Sequence, residues 1–95
     1  MSAYLFASIE ILDGTAYEEY RKRVPAVIAA HGGRYLVRGG TVERLEGDGP
    51  FNRLVILEFP DMAQLKAFYG SADYQPLIAI RQRAAKSNLI AVQGV

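Results

Sequence analysis

Apolar residues gather in runs along the chain, and the spacing within each run separates strand from helix. From Ala3 to Ile11 both alternating sets are apolar, Tyr4 and Phe6 on one side and Leu5, Ala7 and Ile9 on the other, the pattern of a strand covered on both faces. Asp13 and Gly14 turn the chain. Thr15 and Glu18 have the spacing of a capping box, so a first helix is expected to start there. Tyr17, Tyr20, Val24, Val27 and Ile28 then recur at helical spacing, while Glu18 and Glu19 precede Lys22 and Arg23 by four residues on the solvated side. Pro25 has no amide hydrogen for the carbonyl of Arg21, and a kink is expected there. Gly32 ends the helix, because glycine enters the left-handed region without a Cβ penalty.

The stretch HGGRYLVRGG, His31 to Gly40, opens a second strand that is expected to run from Arg34 to Leu45, with a β-bulge at Gly39 and Gly40. After the loop EGDGPF, Asn52 to Phe59 reads as a third strand. Asp61 caps a second helix in which Met62, Leu65, Phe68 and Tyr69 are expected to face inward, and Gly70 closes it. A short third helix follows Asp73, with Pro76 in its first turn and Leu77, Ile80, Arg81 and Ala84 on one side. Asn88 to Val92 is the last strand. The order β-α-β-β-α-β predicts an α+β, ferredoxin-like fold with a four-stranded antiparallel sheet. Right-handed crossovers put the helices on one face of that sheet. Yet the third strand carries Leu54 and Ile56 on one face and Val55, Leu57 and Phe59 on the other, and the outer alternation to polar residues is missing. A sheet apolar on both faces, with helices for one, predicts that a second copy of the chain covers the other.

Composition narrows the function classes. Ninety-five residues suit a single domain over 1–95, and 51% hydrophobic residues is high for so small a unit. A net charge of +1 gives no general attraction for nucleic acid or an anionic membrane. With no cysteine, disulfides, thiolate catalysis and sulfur-based zinc sites are excluded, and no metal site or cofactor is expected. The start MSAYLFASIEILDG lacks a basic head and a cleavage box, and no stretch approaches the roughly 20 apolar residues of a membrane span, so a cytoplasmic protein is expected. Neither glycine pair has a GxGxxG or GxxxxGK[ST] pattern, and no GxSxG motif is present. Tyr4 and Phe6 could stack bases on a fold of this strand order, but the accompanying RNA-recognition motif is missing.

The segments HGGRYLVRGG, NRLVILEFPD and SADYQPL with Arg81 following resemble the domain-of-unknown-function family 1330, over nearly the whole chain. That family is similar to the dimeric α+β barrel superfamily, in which two ferredoxin-like sheets pair into a barrel with helices outside. The resemblance implies a homodimer. It assigns no reaction: the superfamily includes cofactor-independent monooxygenases, haem-degrading enzymes and muconolactone isomerases, and a shared fold does not transfer chemistry.

Counting back from a hairpin centred on EGDGPF, with one residue absorbed at Gly39 and Gly40, sets Arg38 opposite Glu58. There Arg38 would offer a planar fork to a substrate carboxylate or enolate, and Glu58 would orient the fork or act as a base. The plainer alternative is a cross-strand salt bridge that fixes register. His31, the only histidine, closes the first helix and could shuttle a proton or simply interact with the last carbonyls. Tyr69, Tyr74 and Arg81 could line the mouth of a cleft between helices and sheet, or cover the edge of the core. The expected function is binding of a small anionic or carbonyl-bearing apolar molecule between sheet and helices, with proton-transfer or oxygenase chemistry as its enzymatic form. The rival is a structural or interaction dimer with no ligand.

Overall fold

The computed structural model of the protein describes residues 1–49 and 51–95, so Pro50 of the predicted EGDGPF loop lies outside the described residues. Its elements are β1 (Ala3–Ile11), α1 (Gly14–Ala30), β2 (Arg34–Arg38), β3 (Arg53–Phe59), α2 (Met62–Tyr69), α3 (Gln75–Ala84) and β4 (Ala85–Gln93). They form one antiparallel sheet in the order β2-β3-β1-β4, with β1 paired to β3 on one side and β4 on the other. This is the predicted ferredoxin-like arrangement.

One face of the sheet makes the core. Leu5, Ala7 and Ile9 of β1 and Leu57 and Phe59 of β3 are buried beneath Tyr17, Tyr20, Val24 and Ile28 of α1, Leu65 and Phe68 of α2, and Leu77 and Ile80 of α3. The other face has no helix on it. Phe6 pairs with Ile56 and Ile90 there, and Tyr4 with Val92. Phe6, Ile90 and Val92 are 37%, 61% and 41% exposed, so the two-sided apolar pattern leaves greasy surface open.

Local chemistry sets the element ends. The capping box expected at Thr15 does not form, because the N-cap is Asp13, two residues sooner, whose carboxylate accepts the Ala16 amide at 3.1 Å. Asp61 caps α2 as predicted, accepting from the Gln64 amide at 2.8 Å. At the end of α1, Gly32 has φ +78°. Its amide donates to Ala29 and that of Gly33 to Ile28, the paired bonds of a Schellman close. Gly33 also stands close against the core. A Cβ there would lie 2.6 Å from Phe59 Cε1 and 2.8 Å from Ile28 Cγ2. Gly33→Ala is therefore expected to destabilise the fold by about 1–3 kcal/mol. Thermal unfolding reads this as a drop of about 4–8 °C per kcal/mol in a domain of this size.

The second strand differs from expectation. It stops at Arg38, and its register shift falls between Tyr35 and Val37, at Leu36, rather than at the glycine pair. Gly39 instead takes φ +70° as the chain leaves the strand, with its amide still bonded to the Leu54 carbonyl. The last strand is longer than predicted and follows α3 without a connecting residue.

Candidate functional site

The bulge at Leu36 decides where the arginines of β2 go. It pairs Arg34 with Glu58 and Arg38 with Val55, so the expected pairing of Arg38 with Glu58 is wrong. Arg34 Nε donates to Glu58 Oε1 at 2.7 Å on the open face of the sheet. Hydrogen bonds from Arg34 and then Ser2 hold the Glu58 carboxyl below its ordinary value of 4.5, although its partial burial works the other way. A depressed folded value means that the bond stabilises the protein above the unfolded value and is lost as the pH falls through the folded one. On acidification from about pH 6 to about pH 3, wild type is expected to lose more thermal stability than Glu58→Gln. Parallel curves in a melting series would remove this role.

Because one extra residue is inserted, Arg38 turns to the helix side together with Tyr35. Its guanidinium stands 4.7 Å from the Tyr35 ring centroid and donates from Nη2 to the carbonyl of Arg21 at 3.1 Å. That carbonyl is the one Pro25 leaves without an amide partner, although α1 runs on through the proline.

Between α1 and the sheet lies a narrow cavity of about 30 Å³, measured as room for the centres of water-sized bodies. Leu5, Ala7, Val24, Ile28 and Leu57 give it apolar walls, and its polar lining is Tyr17, Tyr20, Tyr35, Tyr74, Arg21, Arg38, Arg53 and Arg81. Four arginines meet four tyrosines with no carboxylate. Arg81 and Tyr74 lie deepest, at 3% and 1% exposure, whereas Arg21 and Arg38 are exposed and mark the mouth. The hydroxyls of Tyr20 and Tyr74, from positions 54 apart in the chain, share a buried hydrogen bond of 2.7 Å. The Arg81 guanidinium sits 6.0 Å from the Tyr20 ring centroid.

The electrostatics follow from burial. Loss of water pushes the Tyr20 phenol well above its usual range, and the neighbouring Tyr74 oxygen adds to this, so Tyr20 stays protonated. Tyr35 is raised for the same first reason, against the pull of Arg38. For Arg81, burial works against the charge, but the phenols of Tyr74 and Tyr20 outweigh it and the cation persists. Nε of Arg81 and Nε of Arg53 are buried without a partner. Guanidinium groups donate and never accept, and of the two bonded hydroxyls one keeps a proton to give onward. The polar groups around the cavity are therefore donors, while most of its open surface is apolar and the two unpartnered Nε atoms lie behind it.

Of the residues singled out from the sequence, the cavity brings together Arg38, Tyr74 and Arg81. Tyr74 and Arg81 are not at a mouth, as expected, but at the closed end. Tyr69 is not inward-facing: Leu65 and Phe68 take the inner side of the short α2, and Tyr69 is left half-exposed with its ring centroid 5.9 Å from that of Tyr74. His31 caps α1, where Nδ1 donates to the Val27 carbonyl at 2.9 Å and the ring stands edge-on to Phe68. Neither His31 nor Glu58 lines the cavity. Tyr17, Tyr20, Arg21, Tyr35 and Arg53 line it without having been singled out as site residues, though period-two alternation back from Leu57 and Val55 puts Arg53 on the same face. Among the described residues, no cluster of three or more His, Asp or Glu side chains is placed to hold a metal, and no helix is long and apolar enough to cross a membrane.

Fold and cavity together define a ferredoxin-like α+β protein with a donor-lined space between helices and sheet. The chain belongs to the family described as domain of unknown function (DUF1330), whose profile matches residues 2–95. No curated protein matches it. Among solved structures it is similar to a protein of unknown function from Rhodopseudomonas palustris, at 20% identity and a TM-score of 0.79, covering 99% of this chain and 82% of that one. It is also similar to SnoaB, a cofactor-independent oxygenase from Streptomyces nogalater, at 12% identity and a TM-score of 0.67, covering 99% and 93%. A dimeric ferredoxin-like protein of unknown function from Jannaschia sp. CCS1 matches at 13% identity and a TM-score of 0.67, covering 99% and 100%. At these identities the likeness is one of fold.

Proposed function

We propose that the protein is a homodimer that binds a small anionic molecule between its helices and its sheet, with Arg38, Arg53, Arg81 and the Tyr20–Tyr74 hydroxyls as ligand donors. The observation that carries this reading is Arg81: a buried guanidinium with an unpartnered Nε in a wall that contains no carboxylate. A buried cation costs several kcal/mol unless an anion compensates it, and here the protein supplies none beside it. The pairing of two copies is supported by the bare apolar face of the sheet and by the dimeric neighbour of the same fold.

A second, enzymatic reading draws on the Tyr20–Tyr74 pair and on the likeness to a cofactor-independent oxygenase. Two phenols beside a guanidinium can stabilise negative charge on a developing enolate oxygen without a metal or cofactor. His31 and Glu58 have no part in it. Both readings require a ligand. In a thermal-shift series with small carboxylates, wild type is expected to be stabilised in proportion to RT ln(1 + [L]/Kd), and Arg38→Ala is expected to respond less. If no anion stabilises wild type, the structural dimer without a ligand is the correct description.

A further inference from the structure

Arg53 stands where two spaces meet. It lines both the inner cavity and an open groove between the 39–46 and 51–54 segments, and among the described residues no other side chain is shared by the two. We propose, on the basis of the anion-binding function, that Arg53 is the charge-selecting donor through which an oxyanion enters the cavity from this groove, and that Gly39 is its positioning residue.

The neighbouring arginines are already engaged. Arg21 is paired with Glu18 at 3.0 Å, Arg38 donates to the Arg21 carbonyl, and Arg44 donates to the carbonyls of Gly47 and Gly49 at 2.7 Å each. Arg53 has no hydrogen bond or ion pair with any described residue; its Nε is buried, and Nη1 and Nη2 are open. A guanidinium only donates, and its fork matches the paired oxygens of an oxyanion. Arg53 thus offers that fork with nothing to give up, whereas Arg38 must first release a carbonyl. Glu43 and Glu46 also line the groove and balance Arg44 and Arg53 in number. The groove as a whole therefore does not favour anions, and selection falls on the guanidinium that adjoins the cavity.

An unpaired arginine on an open surface samples many rotamers, and fixing it costs entropy. Here the backbone fixes it. Gly39 leaves β2 at φ +70° with its amide on the Leu54 carbonyl, and the Arg53 guanidinium lies against its bare Cα. A Cβ at that position would stand 2.5 Å from Arg53 Cζ and 2.9 Å from Nη2. Positive φ alone would admit asparagine, but the contact with Arg53 would not. Gly40 is the contrast, since a Cβ there meets nothing within 4 Å.

Titration of the intact protein with sodium acetate, benzoate, sulfate and phosphate at constant ionic strength, followed by amide chemical shifts, tests this. Wild type is expected to saturate with at least one of them, and their rank order separates carboxylates from tetrahedral oxyanions. For the tightest, Arg53→Met is expected to weaken binding about tenfold or more, the worth of a charge-assisted hydrogen bond. Arg53→Lys, which keeps the charge without the fork, is expected to recover part of the loss. Gly39→Asn keeps access to positive φ but adds a Cβ, and is expected to weaken binding about threefold or more by displacing that bond. Gly40→Ala is expected to change nothing, and in an Arg53→Met background Gly39→Asn is expected to have no further effect. Without any ligand, hydrogen exchange at the Arg53 Nε is expected to be faster in Gly39→Asn than in wild type. If Arg53→Met binds as wild type does while Arg81→Met abolishes binding, Arg53 is not the selecting donor and the anion reading stands. If no anion saturates wild type, the anion reading fails and the role of Arg53 with it. An equal loss from Gly39→Asn with and without Arg53, or unchanged exchange at Nε, would overturn the positioning role of Gly39.

Discussion

Arg81→Met is expected to leave the protein unresponsive to small anions and, in their absence, more stable than wild type. The two effects have one cause. Methionine keeps an unbranched side chain of similar reach among Tyr20, Tyr74 and the sheet, and removes a charge that has no carboxylate beside it. What is lost is a contact with the Tyr20 face at 6.0 Å and donation toward Tyr74. What is gained is the desolvation penalty of a guanidinium, which commonly exceeds such gains by about 1–3 kcal/mol when a buried charge is replaced by a packed apolar group. A melting temperature raised by about 4–8 °C per kcal/mol is the readout. A fall of similar size would mean that the two phenols satisfy Arg81 by themselves, and that no outside anion is called for.

Phe6→Asp combined with Ile90→Asp is expected to convert the proposed dimer into a folded monomer. The two residues are cross-strand partners on β1 and β4, on the face that no helix covers. In a twofold pairing each substitution counts in both copies, and central apolar positions of an interface are worth about 2 kcal/mol or more apiece. Association is thus expected to weaken by at least a thousandfold, with about 1.4 kcal/mol per factor of ten. The helix-facing set of Leu5, Ala7, Ile9 and Leu89 is untouched, so circular dichroism is expected to keep its folded signature while light scattering reports half the mass. A variant that stays dimeric would place the contact elsewhere on the molecule.

The fold was legible because its signals are local and periodic. Alternation in β1 and β3, helical spacing in α1 and the punctuation at Gly32 and Asp61 all agree with the structure. The site was legible only in part. Arg38, Tyr74 and Arg81 stand out by residue type, and the structure brings them to one cavity, but their arrangement depends on the position of a bulge. Two adjacent glycines looked like the natural place for it. The extra residue sits at Leu36 instead, because the match of Tyr35 to Leu57 and of Arg38 to Val55 is decided by how β2 packs on β3, which is a property of two distant segments. A slip of this kind exchanges the faces of neighbouring side chains. It gave Glu58 to Arg34 and sent Arg38 to the helices. The bond between Tyr20 and Tyr74 had no local trace either, since it joins the middle of one helix to the start of another.

The junction of α3 and β4 has no slack. Ala84 ends the helix, Ala85 begins the strand, and the Ala84 carbonyl accepts the amides of both Leu12 and Asp13, which ties the joint to the far end of β1. Helix length and strand register are consequently one quantity. Adding a single residue here would exchange inside for outside along the whole of β4, sending Ile90 and Val92 under the helices and Leu89 into the open. At this seam the count of residues is fixed by geometry at both ends.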